Sequence, residues 1–179
     1  PYNNIGKFSL NNEVFESYPN RDSIPYIKEY NFDETWKINE FVRGTLRLNG
    51  WKEAWSEIFE MLKLKSENLE DQIIKKSEEL WLKNQYLKNE QDRVVLYVSL
   101  QATKNGKKVF NGSYFLDEKG SGEKTAMGTL VSITLSASID LMLEKKLSSG
   151  VQAAPNKPEI IDYYFSILNQ NNIKIKKNI

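Results

Sequence analysis

The stretch Trp36–Leu48, WKINEFVRGTLRL, decides how this chain is read. The run alternates as a strand does, with successive side chains on opposite faces. Arg43, Thr45 and Arg47 fall on one face. Val42, Leu46 and Leu48 fall on the other, with Gly44 between them. One face can pack on a core while the other offers two guanidiniums and a hydroxyl. Same-face neighbours on a strand lie roughly 7 Å apart, so the two arginines can grip two carboxylates of one extended ligand, each by a bidentate fork. A solvated polar face is the competing reading of the same pattern. Gly44 within the run suggests close approach of a backbone or a ligand.

The flanks are read outward from there. Phe8–Tyr18 is predicted as strand with a turn at Asn11-Asn12. Tyr18-Pro19-Asn20-Arg21-Asp22-Ser23 ends it in a loop that carries a further arginine, and a short helix is expected from there to Tyr30. Asn49-Gly50 marks a turn. Trp51, Trp55, Ile58, Phe59 and Leu62 then recur at helical spacing, predicting an amphipathic helix over 51–64. Ser66–Leu87 predicts a second, highly charged helix. Asn105-Gly106 joins two alternating runs, Gln91–Thr103 and Lys107–Leu116, into a hairpin. Gly120-Ser121-Gly122 opens a helix expected from about Glu123; a Gly-rich helix start can hold an anion, but the spacing matches no nucleotide-binding fingerprint. Ala126–Leu143 approaches the length of a membrane span. Asp140 and several Ser and Thr within it predict instead a buried helix in a soluble core. Glu159–Leu168 is predicted as the last helix, and Ile173–Lys176 as an edge strand.

Composition removes several function classes. Lys and Arg number 25 against 24 Asp and Glu, a formal charge of +1, so nothing electrostatic points to nucleic acid or a membrane surface. The chain has no Cys and no His. That removes thiol and imidazole chemistry, disulfides, and thiolate- or His-ligated metals, and it suits a cytoplasmic protein. With 179 residues, 40% of them hydrophobic, the chain is long enough for one globular domain. The expected fold is α+β, a mostly antiparallel sheet of four to six strands with helices packed on one face.

Y-P-N-R-D-S at Tyr18–Ser23, R-G-T-L-R at Arg43–Arg47 and the following Gly50-Trp51 together resemble the saccharopine dehydrogenase family, the glutamate-forming kind. Asp92–Leu96 is similar to the family's R-D-x-V-V-L strand, Lys124–Met127 to its helix opening, and Pro158-Glu159-Ile160 to its late P-E-I. The resemblance implies a substrate-binding and dimerisation domain, like the C-terminal domain of GAPDH, spanning residues 1–179, with a short helical insert at about 64–90 where the family carries a longer one. It implies that Arg21, Thr45, Leu46 (through its backbone) and Arg47 bind substrate, with Arg43 ranked lower because pairing with Asp22 would serve it equally. The substrate implied is saccharopine or a similar multi-carboxylate amino acid. The cofactor implied is NADP, held by an N-terminal Rossmann domain that this chain lacks, so the chain alone is expected to bind no cofactor and to be inactive. A homodimer fits the family. Two alternatives stay open: a related dehydrogenase acting on another amine adduct, and a non-catalytic module for anion binding or dimerisation.

Overall fold

The computed structural model describes residues 3–20, 22–64, 67–85, 87–151 and 154–178. The chain divides into two compact units, residues 1–87 and 88–179. The α+β class and the antiparallel pairing are as expected. The strands, however, form two three-stranded sheets, one in each unit, and not a single sheet.

In the first unit, β1 (Gly6–Leu10) and β2 (Glu13–Pro19) form a hairpin, and β3 (Gly44–Leu48) pairs with β2. Asn11 and Asn12 both take positive φ at the hairpin turn, a conformation their short polar side chains tolerate. α1 (Pro25–Glu29) lies between β2 and β3. The strand predicted over Trp36–Leu48 forms only from Gly44. Before it, the aromatic side chains pack locally and hold the chain in turns. Phe32 meets Phe41 edge-on at 5.6 Å and Trp36 at 6.0 Å, and Asp33 bonds both the amide and the hydroxyl of Thr35. The helix predicted over 51–64 is divided at Trp55 into α2 (Trp51–Ala54) and α3 (Ser56–Leu64), and α3 packs against α4 (Leu69–Lys83). Phe15, Ile58 and Phe59 are buried.

In the second unit, β4 (Arg93–Lys104) and β5 (Lys107–Lys119) form the long hairpin about Asn105-Gly106. α5 (Ala126–Leu143) packs against β4 and against α6 (Pro158–Gln170). Tyr114 of β5 stacks on Phe165 of α6 at 5.6 Å. Helices thus cover the sheet face that carries Val94 and Leu116, both buried. The last strand, β6 (Lys176–Asn178), falls later than predicted. Ile173 is buried instead of pairing, because it closes the end of α6. Its amide bonds back to the Leu168 carbonyl, with Asn172 left-handed between them, the Schellman arrangement. α5 ends the same way, with Lys145 in the left-handed position and the Lys146 amide on the Leu141 carbonyl.

The expectation for α5 needs correction. The helix is long and apolar enough to cross a membrane by length and composition, with mean hydropathy 1.6, yet only 17% of it is buried. Ala126, Ala137 and Leu141 face inward, while Met127, Val131, Leu135 and Ile139 are exposed. The cause lies in its composition. An all-round apolar helix has no polar face to turn outward, and its neighbours in this unit cover one side only.

Candidate functional site

The ladder between β2 and β3 sets out the candidate site. Tyr18 lies opposite Thr45, Glu16 opposite Arg47, and Ser17 opposite Leu46. Directly opposed residues share a face, so Thr45, Arg47, Tyr18 and Glu16 all look the same way. The Asn20 amide donates to the Arg43 carbonyl at 2.8 Å. Because hydrogen-bonded pairs alternate along an antiparallel ladder, the pairs at Thr45 and Arg47 are also bonded ones. Pro19, which has no N–H, therefore sits at a non-bonded position, where it costs the ladder nothing. The same alternation turns the Leu46 N–H and C=O away from β2. They lie on the outer edge of the sheet, where no strand pairs among the described residues.

The turn after β3 brings an aromatic wall onto this face. Gly50 holds φ at +95°, a conformation glycine adopts without strain. The buried Glu16 carboxylate then accepts the Gly50 amide at 3.2 Å and the Lys52 amide at 2.5 Å. Trp51, between them, stacks on Tyr18 with ring centres 5.2 Å apart and planes 21° apart. The Arg47 guanidinium lies 5.7 Å from the Trp51 ring centre, and its Nη2 donates to the Tyr18 hydroxyl at 3.4 Å. Among the described residues no carboxylate pairs with Arg47. A cation braced by rings and left without an anion can accept a ligand carboxylate.

Arg43 is placed differently. It precedes β3, and its guanidinium lies over the Tyr26 ring of α1 at 3.8 Å. Its amide donates to the buried Ser23 hydroxyl. The pairing with Asp22 does not form, since the Asp22 carboxylate accepts the Ile24 amide. Arg43 and Arg47 thus rest on separate aromatic supports. Arg21 lies outside the described residues. Gly44 is less crowded than its place in the strand suggests. A Cβ there would stand 3.4 Å from the Tyr18 carbonyl, an ordinary contact.

Glu16, Tyr18 and Trp51 were not singled out as site residues from sequence. The available signal was period two in β2, which puts Glu16 and Tyr18 on one face. The register that sets this face beside Arg47 is a tertiary fact. An open groove of about 590 Å³ in the same unit is lined by Lys7, Glu16, Gly50, Lys52, Glu60 and Lys63 among others, and includes neither Thr45 nor Arg47.

The Gly-rich start of α5 is already occupied. The Asp92 carboxylate accepts the Ala126 amide at 2.7 Å and the Met127 amide at 3.0 Å, and the Thr125 hydroxyl accepts the Gly128 amide. These bonds hold the Asp92 carboxyl below the usual carboxylate range, Met127 contributing most. A Cβ on Gly120 would collide with that carboxylate. A dinucleotide pyrophosphate does not fit here, because the amides it would need are already bonded to a carboxylate.

Comparison with known proteins agrees with this architecture. The family model described as the saccharopine dehydrogenase C-terminal domain matches residues 2–173. Among solved structures, the apo histidine-tagged saccharopine dehydrogenase (L-Glu forming) from Saccharomyces cerevisiae is similar in fold, with a TM-score of 0.71 and 18% identity. The match covers 99% of this chain and 55% of that one, so the chain spans about half the length of its structural relative. No curated protein matches the sequence. Its match over residues 2–173 makes the chain a member of the saccharopine dehydrogenase C-terminal domain family.

Proposed function

We propose that this chain is the substrate-binding part of an NADP-dependent saccharopine dehydrogenase. The full protein would oxidise saccharopine to L-glutamate and aminoadipate semialdehyde in lysine metabolism. The observation that carries this reading is Arg47, braced by Tyr18 and Trp51 on the face that also presents Thr45, with no carboxylate partner among the described residues. Membership of the family supports it. Saccharopine bears three carboxylates, and a site for it needs several fixed cations.

Family membership supports the following roles. Arg47 grips one carboxylate, and the Thr45 hydroxyl donates beside it. Leu46 offers its outward amide from the sheet edge. Arg21 and Arg43 bind the further carboxylates, Arg43 as the lesser contributor because its guanidinium already rests on Tyr26. This chain binds and orients. The cofactor and the residues at the reacting carbon belong to a separate domain, and the isolated chain is inactive. The reading extends to a cytoplasmic homodimer.

The test is NADPH formation by the full-length protein with saccharopine, wild type beside Arg21→Ala and Arg47→Ala. Loss of a charge-assisted pair costs about 1.5–3 kcal/mol, so Arg47→Ala should raise the saccharopine KM about tenfold or more. An unchanged KM removes Arg47 from the site. A folded, NADP-binding wild type that leaves saccharopine untouched refutes the substrate.

A further inference from the structure

The Tyr18 side chain does more than fill space. Its ring stacks flat on Trp51, and its hydroxyl accepts a hydrogen bond from Arg47 Nη2 at 3.4 Å. Among the described residues the hydroxyl makes no other hydrogen bond. A phenol that accepts from a guanidinium still has its own proton to donate. A ligand carboxylate seated on the free edge of Arg47 provides the acceptor, because the phenol oxygen is already beside that guanidinium. The contacts that hold the pair come from different parts of the chain. β2 supplies Tyr18, β3 supplies Arg47, and the turn into α2 supplies Trp51, anchored by the Glu16 carboxylate on the Gly50 and Lys52 amides. An arginine held on two sides keeps fewer rotamers to lose when a ligand binds, which favours binding. The structure contains the same kind of support at Arg43 over Tyr26, but there no hydroxyl-to-guanidinium bond is formed.

We propose that Tyr18 and Arg47 act as one carboxylate-binding unit. Tyr18 positions the guanidinium against Trp51 and donates its own hydroxyl to the same ligand carboxylate. This inference rests on the reading of Arg47 as a substrate-binding residue and adds a second ligand-contacting group.

The test is a double-mutant cycle in the full-length protein, with KM and kcat for saccharopine at saturating NADP, over wild type, Tyr18→Phe, Arg47→Ala and the double variant. Tyr18→Phe keeps the ring and its stacking, so thermal melting should match wild type. Loss of one hydrogen bond to a charged group should raise KM about tenfold while kcat holds. In the Arg47→Ala background the same change should have little effect, because the two groups act on one carboxylate. If Arg47→Ala raises KM but Tyr18→Phe does not, the unit is refuted and the Arg47 reading stands. Equal effects of Tyr18→Phe in both backgrounds also refute the unit. If Arg47→Ala matches wild type, or wild type does not turn over saccharopine, both readings fall.

Discussion

Glu16→Ala should loosen the first unit by an amount that can be worked from its bonds. The side chain is nearly enclosed, with the residue 9% exposed, and it accepts two backbone amides, from Gly50 and Lys52. A hydrogen bond to a charged acceptor contributes about 1.5–3 kcal/mol. The full sum is not lost, because Lys52 is exposed and water can take its amide in the variant. Gly50 is half-buried and rehydrates less readily. The expected loss is therefore about 2–4 kcal/mol, with Glu16→Gln, which keeps one acceptor oxygen, falling between that and wild type. The assay is urea unfolding followed by tryptophan fluorescence. All four tryptophans, Trp36, Trp51, Trp55 and Trp81, lie in residues 1–87, so the signal comes from the unit that holds Glu16. The midpoint should fall with little change in slope. A Glu16→Ala protein within about 0.5 kcal/mol of wild type would show that the carboxylate does not hold the turn, and with it the account of how Trp51 reaches Tyr18 would fail.

Two further outcomes concern the second unit. Leu141, 1% exposed at the inner side of α5, should cost about 2–5 kcal/mol when changed to alanine, read as a lower midpoint by far-UV circular dichroism; a near-neutral variant would mean that α5 is not anchored there. Asp92 makes stability depend on acid, since its carboxyl lies below the usual range through the Met127 and Ala126 amides. A depressed folded pKa gives stabilisation that is complete above the unfolded value, near 4, and is lost as pH falls through the folded value. Melting temperatures taken from about pH 6 down to about pH 3 should fall less steeply in Asp92→Asn than in wild type, and parallel curves would remove Asp92 from that role.

Local rules were enough for much of this chain. The Asn11-Asn12 turn, the Asn105-Gly106 hairpin and the helices near 69–83, 126–143 and 158–170 follow from turn chemistry and periodicity. Those signals act over a few residues, and few competing contacts oppose them. They fail where side-chain contacts outside the alternation win. Trp36–Arg43 has strand-like alternation, yet its aromatic residues find Phe32 and Tyr30 nearby and leave the strand to begin at Gly44. Period two groups Arg43 with Arg47, but Arg43 precedes β3 and its guanidinium rests on Tyr26. The division into two sheets was not legible either, because alternation specifies a face and says nothing of which strands meet across helices. The candidate site shows the same split. Thr45 and Arg47 share a face by strand geometry alone, and the sequence carried that much. Only the β2–β3 register sets Tyr18 and Glu16 beside them, and only the Glu16 bonds to the turn amides carry Trp51 over the pair. Strand register and the Glu16 caps, which reach across 34 and 36 positions of sequence, depend on which groups are desolvated together, and that is decided when the chain folds.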